Sequence, residues 1–268
     1  MTNLIPMAGL GNRFFQDKYR VPKPFIPVLG EPMFLAAARS FPSADRYIFI
    51  CRQEHVARYK IAETLRRFSR PAEIVTVDAP TQGQACTCLL AQDKWDPADG
   101  LFIASCDYQM IYDETKYQNL WNDPSVDVII WTFKIGSIKK ADPQAFAYCR
   151  VENGRVTEIV EKRVISATPE NDPAVVGSFT YRRAELFTRG AKDMIAKNIR
   201  VNNEFYVGTS INQLIAAGCR VVTFEIENFI SFGTPFELMS FHYWQDYFDQ
   251  LEDHPYHMQR PYPASAGR

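Results

Sequence analysis

The chain has 268 residues, with 30 Lys or Arg against 31 Asp or Glu and a formal charge of −1. That length carries one sizeable core and at most a small annex, and the near-zero charge excludes a general attraction to nucleic acid or to an anionic membrane. With 46 % hydrophobic and 23 % charged residues the composition is that of a globular protein, and no apolar run reaches the ~18 residues of a membrane span.

In chain order, short apolar runs at 4–7, 47–51, 73–77, 101–105 and 126–133 predict strands, most of them continuous, as strands buried on both faces are. Between them lie helical patterns at 32–41, 55–68, 84–93 and 114–121, the first with Pro32 at a first-turn position. Strand–helix alternation predicts a mostly parallel α/β sheet with ligands at the strand C-terminal ends. After 133 the rhythm changes. Runs at 145–152 and 155–161 around Asn153-Gly154 predict a hairpin. A strand at 175–182, helices at 184–197 and 206–217, a strand at 220–226 and an aromatic-rich helix at 235–249 follow. The aromatic face of that last helix is the candidate for self-association into a homo-oligomer.

Six cysteines (Cys51, Cys86, Cys88, Cys106, Cys149 and Cys219) sit in or beside apolar runs. The one close pair, Cys86-x-Cys88, is too tight for the usual zinc or redox motifs, so free thiols in a reducing compartment are expected. The opening MTNLIPMAG lacks a basic region ahead of a long apolar stretch. It therefore does not read as a secretion signal, and a cytoplasmic protein is expected. No nucleic-acid or membrane partner is expected.

The segment that stands out follows the first strand: Met7-Ala8-Gly9-Leu10-Gly11-Asn12-Arg13. Two glycines let backbone N–H groups approach phosphate oxygens, and Arg13 adds a forked donor suited to phosphate. Arg13, Lys18, Arg20 and Lys23 against Asp17 leave a local charge of +3 within eleven residues. The loop is not a Rossmann fingerprint, because the third glycine is missing, and not a Walker A loop, because no Gly-Lys-Ser/Thr follows. Alone it reads equally as a solvated basic turn or as a phosphate loop.

The next block, Pro22-Lys23-Pro24-Phe25-Ile26-Pro27-Val28-Leu29-Gly30-Glu31-Pro32-Met33, changes that balance. Over the 27 residues from Met7 to Met33, the glycine loop, Arg13 and Lys23-Pro24 closely resemble the opening signature of the sugar-1-phosphate nucleotidyltransferase family. The resemblance implies a Rossmann-like, mostly parallel sheet flanked by helices (the GT-A-like nucleotidyltransferase fold) with a small antiparallel annex. A single nucleotidyltransferase domain is expected over residues 1–252. Residues 1–133 would form its nucleotide-binding half, 134–252 its acceptor-binding half and C-terminal helix, and 253–268 a poorly ordered tail.

By resemblance, Met7, Ala8, Gly9, Leu10, Gly11 and Asn12 would hold the nucleotide, joined by Gln82, Gly83 and Cys106. Arg13 and Lys23 would neutralise the triphosphate. Asp107, at the end of the fourth strand, resembles the family's Mg²⁺ carboxylate. Val160-Glu161-Lys162 resembles its Glu-Lys motif, with Lys162 on the acceptor phosphate, while Gly177 and Glu204 would line the acceptor. The implied reaction joins a nucleoside triphosphate and a sugar phosphate into a nucleotide-activated sugar plus pyrophosphate, in the usual setting of bacterial surface polysaccharide synthesis.

Two positions depart from expectation. Glycosyltransferases of the related fold place a second carboxylate two residues after Asp107, where this chain has Gln109; that favours making nucleotide sugars over using them. In Phe229-Ile230-Ser231-Phe232-Gly233-Thr234-Pro235 the family's second metal-binding Asp is replaced by Ser231, a poor Mg²⁺ ligand. Either Asp107, phosphates and water suffice, or Glu204, Glu225 or Glu227 compensates. Two alternatives follow: a cytidylyltransferase for a small non-sugar phosphate, and a non-catalytic nucleotide-binding regulatory subunit.

Overall fold

A computed structural model describes residues 1–68, 70–137 and 142–251. Its strands are β1 (Thr2–Pro6), β2 (Pro27–Val28), β3 (Glu31–Pro32), β4 (Arg46–Arg52), β5 (Ala72–Val77), β6 (Leu101–Ile103), β7 (Tyr108–Ile111), β8 (Val128–Phe133), β9 (Ala147–Glu152), β10 (Arg155–Glu161), β11 (Ala174–Tyr181), β12 (Val221–Glu225) and β13 (Asn228–Ser231). Its helices are α1 (Asn12–Gln16), α2 (Met33–Arg39), α3 (Gln53–Arg58), α4 (Ile61–Arg66), α5 (Gln84–Leu89), α6 (Glu114–Asn122), α7 (Ala184–Ala196), α8 (Val207–Ala216) and α9 (Pro235–Asp249). The tail expected at 253–268 lies outside the described residues.

The chain divides into two compact units. The first comprises Met1–Gly9, Pro42–Ser105 and Ile111–Phe229; the second comprises Leu10–Phe41, Cys106–Met110 and, among described residues, 230–251. This division does not follow the boundary expected at 133. The chain leaves the first unit within the glycine loop and again just after β6, so the division falls at the segments that the sequence marks as functional.

The first unit holds a nine-stranded sheet in the order β10-β9-β11-β6-β1-β4-β5, with β8 beside β11 and β12 beside β8. β1 lies between two parallel neighbours: Leu4 stands opposite Ile48 of β4 and Ile103 of β6. Leu4, Ile5, Ile48, Phe49, Phe102 and Ile103 are fully buried, which is why these strands read as unbroken apolar runs. β11 runs antiparallel to β6, β8 and β9. The expected antiparallel annex is therefore the continuation of one mixed sheet, with the β9–β10 hairpin at its far edge. The order reverses beside β1, and in open α/β sheets the strand ends at such a reversal are where ligands bind.

The single helix expected over 55–68 is two short ones. Lys60 sits between α3 and α4 with φ 48°, and a left-handed residue ends one helix before the next begins. Leu65 and Phe68 are still buried, so the apolar period survives a break it cannot reveal.

The second unit has its own core of Phe14, Ile26, Val28, Met33, Ala36, Phe232 and Leu238. The β2–β3 ladder pairs Pro27 with Pro32 and Val28 with Glu31. α2 is apolar from Met33 to Ala38 and buried throughout that stretch. α9 starts with Pro235 after a Thr234 cap, whose hydroxyl accepts from the Glu237 N–H at 3.2 Å. Leu238 and Gln245 are its buried residues, while Phe236, Met239, Tyr243, Trp244 and Tyr247 are exposed.

Candidate functional site

In the second unit, Gly11 adopts φ +64°, a left-handed conformation that favours glycine, and a Cβ there would sit 3.3 Å from Lys23 Cβ. The glycine thus brings the loop against Lys23. Arg13 lies in α1 and is exposed. Lys23 opens a short 3-10 turn held between Pro22 and Pro24, so its backbone is stiffened on both sides.

The Lys23 ammonium donates to Asp107 Oδ2. Loss of water pulls the Lys23 pKa down, but Asp107 and Cys106 outweigh it and leave the pKa raised; Arg13 works in the other direction. These contributions place Arg13, Lys23, Cys106 and Asp107 within one electrostatic neighbourhood. Asp107 is held from below by the backbone, since the Phe232 N–H donates to the Asp107 carbonyl at 2.8 Å. Gly233 also approaches it: a Cβ at 233 would lie 3.0 Å from Asp107 Oδ2, 3.4 Å from Ser231 Oγ and 3.5 Å from Glu237 Oε2. Gln109 is engaged elsewhere, donating to the Ala36 carbonyl at 2.8 Å.

Met7, Ala8 and Gly9 belong to the first unit, where Met7 and Ala8 are buried and Gly9 is exposed. Gln82 and Gly83 meet the segment that carries Glu204. The Phe205 N–H donates to the Gln82 carbonyl at 2.9 Å, and the Ala85 N–H donates to the Phe205 carbonyl at 3.0 Å. Gly83 has φ +134°, and a Cβ there would fall 2.5 Å from the Phe205 nitrogen and 2.6 Å from its oxygen. Close packing on Phe205 by itself requires a glycine here. The Gln82 side chain accepts from Arg200, whose guanidinium lies 3.9 Å from the Phe205 ring centroid.

Glu204 is exposed, and its backbone closes a bridge with Val201. Lys162 follows β10 in a left-handed conformation, φ 55°. Its ammonium donates to the Ala145 carbonyl and lies 5.9 Å from the centroid of Tyr206, two residues after Glu204. The structure therefore gathers Gln82, Gly83, Phe205, Tyr206 and Lys162 into one neighbourhood. Gly177 stands apart in β11, with φ 97°, at an irregularity in the register with β8.

Sequence reasoning gave no role to three side chains. Glu161 is half-buried, and loss of water around its carboxylate, only partly offset by Lys162, pushes its pKa up to about 7. Arg200 had no motif to mark it. Glu237 was legible only as the third residue after a helix cap, in the Thr234-x-x-Glu237 spacing.

A parallel block of strands whose order reverses at β1, flanked by helices and extended by antiparallel strands, is a Rossmann-like α/β fold. The chain has that fold in common with solved nucleotidyltransferases. A nucleoside-diphosphate-sugar pyrophosphorylase from Vibrio cholerae RC9 is similar at TM-score 0.74 and 21 % identity, over 89 % of this chain and 98 % of the other. A Bacillus anthracis protein described as a glucose-1-phosphate thymidylyltransferase, solved with sucrose, gives TM-score 0.69 and 18 % identity over 91 % and 95 %. The inositol-1-phosphate CTP transferase from T. maritima gives TM-score 0.69 and 12 % identity over 90 % and 93 %. No protein-family model matches the chain, and no curated protein is significantly similar to it in sequence.

Proposed function

We propose that this protein is a nucleotidyltransferase that joins a nucleoside triphosphate to a sugar phosphate and releases pyrophosphate. The observation that carries the reading is the pairing of Lys23 with Asp107 beside Gly11 and Arg13. It sets a proline-stiffened cation and a hard anionic ligand side by side, which a triphosphate and its counter-cation both need. Among the described residues, no group of three or more His, Cys, Asp or Glu side chains is placed to hold a metal. That suits Mg²⁺, which takes one or two protein carboxylates and draws its other ligands from phosphates and water. When bound, Mg²⁺ would neutralise charge on the α-phosphate.

In the reaction, a phosphate oxygen of the acceptor attacks the α-phosphorus. A new P–O bond forms while the bond to the α,β-bridging oxygen breaks, and pyrophosphate leaves with that electron pair. No protein nucleophile is needed, because the acceptor phosphate is already an anion; the protein supplies position and charge. Within the second unit, Arg13 and the Gly11 turn would stabilise the departing pyrophosphate, Lys23 the α- or β-phosphate, and Asp107 the cation, with Leu10, Asn12 and Cys106 in support. Within the first, Met7, Ala8 and Gly9 would serve the nucleotide together with Gln82 and Gly83. Lys162, Gly177 and Glu204 would serve the acceptor.

Synthesis of a bacterial surface polysaccharide in the cytoplasm is the setting this reading implies. No described helix is long and apolar enough to cross a membrane. The exposed aromatic face of α9 would then serve self-association. A second reading, favoured by the similarity to the inositol-1-phosphate CTP transferase, is a cytidylyltransferase whose acceptor is a phosphorylated polyol or other non-sugar phosphate. Ser231 motivates the third, a nucleotide-binding regulatory subunit. Pyrophosphate release over four triphosphates and a panel of sugar and polyol phosphates separates them. Turnover with a sugar phosphate is expected. Turnover with CTP and a polyol phosphate alone supports the second reading, and nucleotide binding without any turnover supports the third.

A further inference from the structure

Gly233 leaves open a small volume that a side chain would fill, and three oxygen atoms face it: Asp107 Oδ2, Ser231 Oγ and Glu237 Oε2, all within 3.5 Å of the position a Cβ would take. Their chemistry is uniform. Each is a hard oxygen donor, two belong to carboxylates, and hard oxygens are what Mg²⁺ and Mn²⁺ bind. Ser231 is held in place, its hydroxyl accepting from the Gly233 N–H at 3.2 Å. Asp107 already carries one cation, the Lys23 ammonium.

Glu237 differs from an ordinary capping residue. Its backbone N–H is taken by the Thr234 hydroxyl, but its half-buried carboxylate makes no hydrogen bond or ion pair among the described residues. A carboxylate in the usual capping box returns to the cap N–H; this one is directed to the space beside Gly233. The donors come from the segment after β6, from β13 and from the first turn of α9, so the fold fixes their separation and not chain proximity alone.

We propose that Glu237 supplies the second carboxylate of a divalent-cation site whose first is Asp107, with the Ser231 hydroxyl beside them. The inference rests on the nucleotidyl-transfer reading for what the cation does, but not for whether it binds. It explains how a neutral residue stands at 231: the carboxylate is delivered from six residues further along, through the cap of α9. Glu237 is thus the compensating carboxylate that the departure at Ser231 calls for, placed in the same unit as Asp107 and Ser231.

Mn²⁺ alone, titrated into the full chain and followed by the electron paramagnetic resonance of the free ion, tests this without any turnover. One bound Mn²⁺ is expected, lost in Asp107→Asn and weakened about tenfold or more in Glu237→Gln. Restoration of affinity in the double variant Ser231→Asp, Glu237→Gln is also expected, because Ser231 faces the same volume; that result shows a folded site and a transferable carboxylate. Wild-type affinity in Glu237→Gln, with only a lowered Tm, would make Glu237 a helix-start residue and overturn the proposal. No Mn²⁺ bound by the wild type would overturn it too. Pyrophosphate release by wild type alongside either negative result would leave the transferase reading standing, so the two failures are distinguishable.

Discussion

Lys23 and Asp107 neutralise one another in the structure, yet the proposed chemistry uses them on opposite charges, the ammonium on phosphate and the carboxylate on the cation. A substrate that brings both partners replaces the ion pair with two better-matched contacts, and this exchange is where the site spends its electrostatic energy on the reacting groups. Arg13→Ala and Lys23→Ala should each lower kcat by ~10²-fold or more, since each removes a donor aimed at developing charge. Steady-state pyrophosphate release measures it, with exposed Lys18→Ala as the control that leaves kcat unchanged. Glu161 makes a second prediction at this scale. Its folded pKa of about 7 stands above its ordinary 4.5, so the folded state holds the proton more tightly than the unfolded state. Stability is greatest below the ordinary value and is lost as pH rises through about 7, by up to about 3 kcal/mol. Urea unfolding of wild type against Glu161→Gln should show the difference between them changing between pH 5 and pH 8.

Among the elements, the junction of the Gln82-Gly83 turn with Phe205 is the most demanding. The backbone of Phe205 approaches so closely that any Cβ at 83 must displace it. Gly83→Ala should therefore cost about 2 kcal/mol or more, through overpacking and a φ that L-residues rarely adopt; chemical denaturation reads it. The sequence marked this glycine but not this contact, because a meeting of residues 83 and 205 leaves no local trace. The same physics divides what could be read from what could not. β1, β4, β6 and β8 were legible as unbroken apolar runs because both of their faces are buried. β7 and β13 were not, since each has four residues and is defined by pairing with a distant segment. α1 was hidden within the glycine loop, and the Lys60 break within an intact apolar period. Lys23 and Asp107 were legible as residues, through the proline block and the end of β6; their ion pair was not, because 84 positions separate them. Glu237 was masked by its second role at the start of α9.

At the scale of the whole molecule, two units with separate cores divide the proposed labour. The second holds the glycine turn, Arg13, Lys23, Asp107 and the Gly233 donors; the first holds the Gln82–Phe205 junction and Lys162. The chain passes between units inside the very segments that the sequence marked as functional. What joins these facts is a single claim, that the bond broken lies between the α- and β-phosphates of a nucleoside triphosphate. The direct measurement is to supply triphosphates labelled separately at the α- and γ-phosphorus, with the panel of acceptor phosphates and Mg²⁺, and to follow each label. The account predicts the α-label in a nucleotide diphospho-product and the γ-label in pyrophosphate, in equal amounts. Appearance of the γ-label in inorganic phosphate or on the acceptor, with the α-label left in a nucleoside diphosphate, would contradict it.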